Sequence, residues 1–419
     1  MGKKNIPENN LAAEGLTVEG FTPTDHDHGS HDHGNYDHGN YDHGNYDHSG
    51  HDHGGNPFAH AALSGVPYTS YLDFSANINP LGMPKSAIRA ARKALAELSG
   101  HYPEPTYHEL RQAAAAAWEV PAENIVAGNG AGELLDATCR LAAWQEAVVF
   151  TPTYSEYARA ARRAGLPVRC LPAFHPDHLP SSSLLKELPT PELKPRSLIF
   201  VCQPNNPTGT LVSREALAVL ARIAAQKEGL LVVDESFLAF CPEEAACSSL
   251  PLLFSGLPVL VIRSLTKIYG MPGLRLGLSI AAPETAKALQ AALPPWNVNS
   301  VAAAAGSAAL VEREFLTLTR ERLTRWRVRL VKKLTSAAAG GTLLQPLPAA
   351  ANFLLTKITS EHWSSPQLTA ALAKELVLVR DCRSFPELGE RYIRLAVRRP
   401  ADQDRLLAAL TRLTVRPEP

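Results

Sequence analysis

Arg263-Ser264-Leu265-Thr266-Lys267-Ile268-Tyr269-Gly270-Met271-Pro272-Gly273-Leu274-Arg275-Leu276-Gly277 is the stretch that decides the reading of this chain. The apolar, β-rich run Val259–Ile262 stands before it and Leu276–Ile280 closes it. Lys267 therefore sits just past the end of one strand, and Arg275 follows eight residues later, just before the next. Working upstream, Leu230–Val233 ends in Asp234-Glu235, and Ser197–Cys202 is followed by Pro204-Asn205-Asn206-Pro207-Thr208-Gly209. Further back, Ile125–Ala127 runs into the glycine-rich turn Gly128-Asn129-Gly130-Ala131-Gly132-Glu133, and Ala147–Phe150 precedes Pro152-Thr153-Tyr154. These runs show little alternation, as strands buried on both faces should. Helical segments lie between them, so the pattern predicts an α/β fold with a mostly parallel sheet covered on both sides. Pro84–Leu98 reads as a helix opened by proline, and Thr106-x-x-Glu109 reads as a capping box for a helix running to Trp118. Beyond residue 300 come a long Arg-rich helix, Glu312–Leu334, and strands at Asn352–Thr356, Val377–Arg380 and Tyr392–Val397. They predict a smaller α+β domain.

Composition narrows the class. The 419 residues are 45% hydrophobic and 20% charged, ordinary for a globular protein with a large core. Lys+Arg and Asp+Glu both number 41, so no basic excess invites nucleic acid or a membrane surface. Apolar stretches such as Val301–Val311 fall far short of the roughly 20 residues of a membrane span. Met1-Gly2-Lys3-Lys4-Asn5 is followed by no apolar segment, so no secretory leader is expected and the protein is placed in the cytoplasm. Six cysteines without a CxxC pair read as reduced thiols.

Ligands bind beyond the carboxyl ends of strands in open α/β sheets, and the pieces above collect at such ends. They supply a lysine nucleophile, a carboxylate, a side-chain amide and an anion clamp. Lys267, with Arg275 nearby, has reason to be less basic than usual, which suits imine formation. A strand-end aspartate can pair with a protonated pyridine nitrogen, and an amide can bond a phenolate oxygen. The turn at Gly128–Glu133 offers free backbone N–H groups at a helix start for a phosphate. The set describes pyridoxal phosphate with Lys267 as its covalent partner.

The order of these motifs resembles the fold-type I pyridoxal-phosphate enzymes, in the aminotransferase branch that includes histidinol-phosphate aminotransferase, over roughly residues 54–415. The resemblance implies that Lys267 holds the cofactor, Asp234 pairs with the pyridine nitrogen, and Asn206 bonds the ring hydroxyl oxygen. It implies that Tyr154 stacks on the ring, and that the Ala131 and Gly132 N–H groups, Ser264 and Arg275 hold the phosphate. Tyr102, in His101-Tyr102-Pro103, would reach the phosphate in a partner subunit, making a homodimer. Where the branch usually has a tyrosine three residues past the aspartate, this chain has Phe237, which cannot bond the ring hydroxyl. Four more segments are similar to the threonine-phosphate decarboxylases of cobalamin biosynthesis. They are His53-Gly54-Gly55-Asn56, Leu72–Gly82, Val379-Arg380-Asp381-Cys382 and Tyr392–Val397. By that resemblance His53, Gly54, Asn77, Asn206, Arg380 and Arg394 line the substrate site. Two arginines suit a substrate carrying both a phosphate and a carboxylate. Transamination of histidinol phosphate is the alternative, since the same lysine and a similar arginine serve it.

The first 52 residues stand apart. Residues 25–53 hold nine of the fifteen histidines, and His-Gly-Asn-Tyr-Asp repeats from His33 to Asp47. With almost no aliphatic residues, this stretch is expected to be a disordered tail. His26, His28, His31, His33, His38, His43, His48 and His51 are its candidate ligands for divalent metal. The expected organisation is a tail over 1–52, an arm over 53–83 that contributes to the substrate site, a large cofactor domain over 84–300 and a small domain over 301–419.

Overall fold

The computed structural model describes residues 54–415, apart from 181, 191, 337–342 and 386. The histidine-rich segment and His53 lie outside the described residues.

Seven strands form the main sheet: β1 Ile125–Gly128, β2 Glu146–Thr151, β3 Val168–Pro172, β4 Ser197–Cys202, β5 Leu230–Asp234, β6 Val259–Ser264 and β7 Gly277–Ile280. Their order is β1-β7-β6-β5-β4-β2-β3. All neighbours are parallel except β7, which runs antiparallel to both β1 and β6. The six strands predicted from apolar runs are present; β3 carries Arg169 and Pro172 and was not legible as a strand. The sheet is buried on both faces because helices cover both. On one side α1 Lys85–Leu98, α2 His108–Trp118, and Arg214–Gln226 share a core with Val148, Ile199, Val233 and Val261. On the other, α3 Ala131–Cys139 and α4 Glu156–Arg163 pack on Val149, Phe200, Val232 and Ile262. The long helix α5 Arg313–Ser336 links this layer to a second sheet, β8 Leu344–Pro346, β9 Phe353–Ile358, β10 Arg380–Asp381 and β11 Tyr392–Ala396, ordered β8-β9-β11-β10 and antiparallel throughout. The family-type two-sheet α/β architecture is thus as expected. Leu72-Asp73, in the arm, adds a short parallel pairing with Val377-Leu378.

One local expectation fails. The helix α2 begins at His108, not behind a Thr106 cap. The Glu104 carboxylate accepts from the N–H groups of Thr106 (2.8 Å) and His108 (2.7 Å) and from Thr106 Oγ1 (2.6 Å). An ionised carboxylate is the stronger acceptor, so it takes both the hydroxyl and the end N–H groups. Among the described residues no helix is long and apolar enough to cross a membrane.

Candidate active site

Topology gathers the motifs at one edge. Parallel strands β2, β4, β5 and β6 all end on the same side, so Tyr154, Asn206, Asp234 and Ser264–Lys267 arrive there together. Because β7 is antiparallel to β6, its start lies at that edge as well and brings Arg275 there. β1 is antiparallel to β7, so its end, with the turn into α3, joins them.

Lys267 lies in the short helix Leu265–Ile268 directly after β6. Its Nζ donates to Ser264 Oγ (3.3 Å) and lies 5.7 Å from the centre of the Phe237 ring. Desolvation lowers its pKa, Asp234 opposes that, and Arg275 adds to the lowering. A less basic lysine is a better nucleophile at neutral pH. Asp234 is 4% exposed. It accepts from the Tyr157 hydroxyl (2.9 Å) on one oxygen and from the Ser236 N–H (3.0 Å) on the other. Tyr157 is fully buried, stacks on Phe200 at 5.5 Å and meets Tyr154 edge-on at 5.5 Å. Burial pushes the Tyr154 hydroxyl up, so it stays neutral.

The turn into α3 is shaped for an anion. Gly130 caps the helix at φ 84°, where a side chain is disfavoured, and contributes no side-chain cap. A Cβ there would lie 2.6 Å from Arg275 Nη2, so glycine also lets the guanidinium lie against the turn. A Cβ on Gly132 would meet nothing within 4 Å. The uncapped N–H groups of the first turn, a guanidinium and the Ser264 hydroxyl, which is 2.6 Å from Thr266 Oγ1, make a donor set suited to a phosphate. With a lysine able to form an imine and a strand-end carboxylate at the same edge, these residues fit pyridoxal phosphate.

The second sheet presents two arginines. Arg380 on β10 stands directly opposite Arg394 on β11, and each is 7% exposed. Arg380 donates to Ser384 Oγ (2.6 Å) and lies 5.9 Å from the Phe385 ring centre. Arg394 donates through Nη1 to Asn206 Oδ1 and through Nη2 to the Ser75 carbonyl (2.7 Å). Its carbon lies 5.5 Å over the Phe353 ring, and Phe353 meets Phe237 edge-on at 5.1 Å. Arg394 Nε is buried and has no partner. Burial pulls its guanidinium down to about 10. With Asn206 Oδ1 taken by Arg394, the Asn206 amide nitrogen is the group left to donate to a ring oxygen.

The arm closes the site. Asn79 accepts nothing from the lysine side chain but its N–H donates to the Lys267 carbonyl (3.0 Å), and its Nδ2 donates to the Ile268 carbonyl (2.7 Å). Asn77 is buried with Oδ1 unpartnered, and its carbonyl accepts from Asn352 Nδ2 (3.0 Å). Gly54 passes so close to Ser75 that a Cβ would lie 2.3 Å from the Ser75 carbonyl, the same oxygen that Arg394 holds. Gly55 N–H donates to Ser75 Oγ (2.7 Å). His53 lies outside the described residues. Tyr102 is 78% exposed and stacks on Trp296 at 4.5 Å. Tyr157, Ser75 and Phe353 escaped the sequence reading. Only Tyr157 had a signal there, one helical turn after Tyr154. Among the described residues no cluster of His, Cys, Asp and Glu could hold a metal, and the histidine tract is not among them.

The model of aminotransferase class I and II matches residues 69–410. Threonine-phosphate decarboxylase of Salmonella typhimurium is 36% identical over 351 residues, covering 84% of this chain and 93% of that protein. Histidinol-phosphate aminotransferase 1 of Cupriavidus pinatubonensis is 30% identical, covering 83% and 89%. The solved histidinol-phosphate aminotransferase of Clostridium acetobutylicum superposes with a TM-score of 0.70 at 25% identity, over 81% of this chain and 98% of that one. The chain belongs to the aminotransferase class I and II family of pyridoxal-phosphate enzymes.

Proposed function

We propose that this protein is a pyridoxal-phosphate-dependent decarboxylase that converts L-threonine O-3-phosphate to (R)-1-amino-2-propanol phosphate and CO2, a step of cobalamin biosynthesis. The observation that carries the reading is the buried pair Arg380 and Arg394, directly opposite on β10 and β11. Like charges directly opposite destabilise a sheet. A substrate with two anionic groups would offset that, and threonine phosphate has a carboxylate and a phosphate. The likeness to the Salmonella decarboxylase supports the same reading.

When bound, pyridoxal phosphate supplies an electron sink for the pair left by the departing CO2. The chain's residues do the rest. Asp234, held by Tyr157 and Ser236, is placed to keep a pyridine nitrogen protonated. Asn206 would donate its amide to the ring oxygen, Tyr154 would pack against the ring, and Ser264, Arg275 and the Ala131 and Gly132 N–H groups would hold the phosphate. Arg394 takes the substrate carboxylate, with Nε as its waiting donor, and Arg380 takes the substrate phosphate. Asn77 and Gly54 would line the same pocket, and His53, outside the described residues, is proposed to join them. Fixing both anions would orient the bonds at the α-carbon, and so would decide whether CO2 or a proton departs. Lys267 Nζ, or a water, would deliver to the α-carbon the proton that replaces CO2.

Release of labelled CO2 from carboxyl-labelled threonine phosphate, without any 2-oxo acid, tests the reading. The second reading is histidinol-phosphate aminotransferase, favoured by relatives such as the Cupriavidus enzyme. Turnover of histidinol phosphate that requires 2-oxoglutarate, with no CO2 from threonine phosphate, would replace the first reading by the second.

The proposed assembly is a cytoplasmic homodimer in which Tyr102 reaches the partner's phosphate site; its exposed position supports that role. The proposed layout keeps the arm at 53–83, the cofactor domain at 84–300 and the small domain at 301–419. Residues 1–52 are proposed as a metal-binding tail. Imidazoles on a loose repeat give many interchangeable sites for Cu, Ni, Zn or Co rather than one closed tetrahedral site.

A further inference from the structure

The start of α3 resembles a capping box with half of it removed. In the complete motif the N-cap side chain bonds the N–H of the third helical residue, and that residue's Glu or Gln reaches back to the N-cap N–H. Here the cap is Gly130, which has no side chain to give. The third helical residue is Glu133, and its Oε2 accepts from the N–H of Asn129 (2.6 Å), one residue beyond the cap. The same oxygen accepts from Asn297 Nδ2 (2.7 Å), which also reaches the Ala127 carbonyl (3.1 Å). Asn297 is fixed in turn by the Tyr107 hydroxyl, which donates to its Oδ1 (3.1 Å), while Tyr107 accepts from the Val298 N–H (2.9 Å). Tyr107 is 3% exposed. A single carboxylate oxygen thus ties the glycine-rich turn to the segment at 297–298.

Two features make this odd as mere helix capping. The half that would cover the helix N–H groups is missing, so no side chain caps them. The half that is kept carries a negative charge beside an anion site: the helix dipole favours a carboxylate in the first turn, but repulsion from a bound phosphate would oppose it. Geometry is what it returns. A turn of three glycines in five residues, Gly128, Gly130 and Gly132, has high backbone freedom, and ordering it has an entropy cost that would otherwise be subtracted from the free energy of anion binding.

We propose that Glu133 is a positioning residue for the cofactor phosphate: by holding Asn129 N–H and Asn297 it presets the Gly128–Gly132 turn with the Ala131 and Gly132 N–H groups open. The proposal rests on the pyridoxal-phosphate reading of the site. It acts through hydrogen-bond geometry, so its charge is dispensable and its acceptor oxygen is not.

The test uses the full-length protein freed of cofactor. Binding of pyridoxine 5′-phosphate, which lacks the aldehyde and so cannot engage Lys267 covalently, and of unphosphorylated pyridoxine is measured by fluorescence titration. Glu133→Ala should weaken pyridoxine phosphate about tenfold, the upper scale of one ordinary hydrogen bond. It should leave pyridoxine within about twofold, since pyridoxine does not use the turn. Glu133→Gln keeps an acceptor and should bind pyridoxine phosphate at least as well as the parent. Asn297→Ala should follow Glu133→Ala in direction. Equal loss for both ligands in Glu133→Ala would mean general damage and overturn the proposal. So would parental binding in Glu133→Ala, or a Glu133→Gln as weak as the alanine. If the parent protein itself binds neither pyridoxine phosphate nor pyridoxal phosphate, the cofactor reading fails instead.

Discussion

The end of the main sheet and the arginine-bearing sheet solve opposite electrostatic problems. At the end of β5, Asp234 is buried and answered: a hydroxyl and a backbone N–H each take one of its oxygens. On β10 and β11 two buried arginines stand opposite each other in register, and Arg394 hands its hydrogen bonds to neutral oxygens while keeping Nε unpartnered. Burying an unsatisfied polar group costs stability, so it persists where a ligand completes it. On the proposed reading, the first region is preorganised around a resident cofactor and the second is left incomplete for a substrate that comes and goes.

Breaking the lysine should have the largest effect. Lys267→Ala is expected to reduce CO2 release from threonine phosphate by several orders of magnitude, since the nucleophile is gone. The fold should survive, so circular dichroism should match the parent. Turnover near the parental rate would remove the main-sheet edge from the comparison altogether.

The second test separates the two regions. Arg394→Ala should raise the substrate concentration for half-maximal rate on the order of a hundredfold, the worth of a bidentate charge-assisted contact. Affinity for pyridoxal phosphate should move far less. Arg394 also touches Asn206, so some loss of cofactor affinity is expected, and a larger loss there than for substrate would reverse the assignment.

A third measurement uses pH. Lys267 is less basic in the folded protein than its ordinary value of 10.5, chiefly through desolvation. The unfolded chain then binds more protons between the two values, so stability rises with pH across that interval. Below the folded value the buried charge is a standing cost. Lys267→Met should therefore raise the melting temperature of the cofactor-free protein near neutral pH, by a few degrees. The gain should shrink as pH rises towards 10.5. A gain independent of pH would point to packing rather than to charge.

The smallest effect on either region is expected from the tail. Deleting residues 1–50, which leaves His53-Gly54-Gly55-Asn56, should bring divalent metal uptake in equilibrium dialysis close to zero and leave decarboxylation unchanged. Lost decarboxylation, or undiminished metal uptake, would mean that tail and site are not separate modules.

Much of the main-sheet edge could be read without a structure because each of its parts is local. A lysine one turn past a strand, an aspartate at a strand end and a glycine-rich strand-to-helix turn are short patterns, and the parallel order of the strands then forces them to one side. The predicted strands matched for the same reason: runs buried on both faces are continuously apolar. Where the sequence misled, the deciding group lay outside the pattern. Thr106 has the right spacing to cap α2, yet Glu104 is the stronger acceptor and takes the place.

Sequence by itself determined the α/β class, the order of the strands along the chain, and the types of group that the edge would present. Tertiary structure decided what those groups touch. Arg380 and Arg394 are fourteen positions apart in the chain, and nothing in either segment says that they face each other; the β10–β11 register does. Tyr157 reaches Asp234 across 77 positions, Asn297 reaches Glu133 across 164, and Ser75 meets Arg394 across 319. Hydrogen bonds at such separations depend on chain crossing and register, which periodicity and spacing do not encode. Local propensity names the chemistry that is available, and long-range packing selects which of it meets.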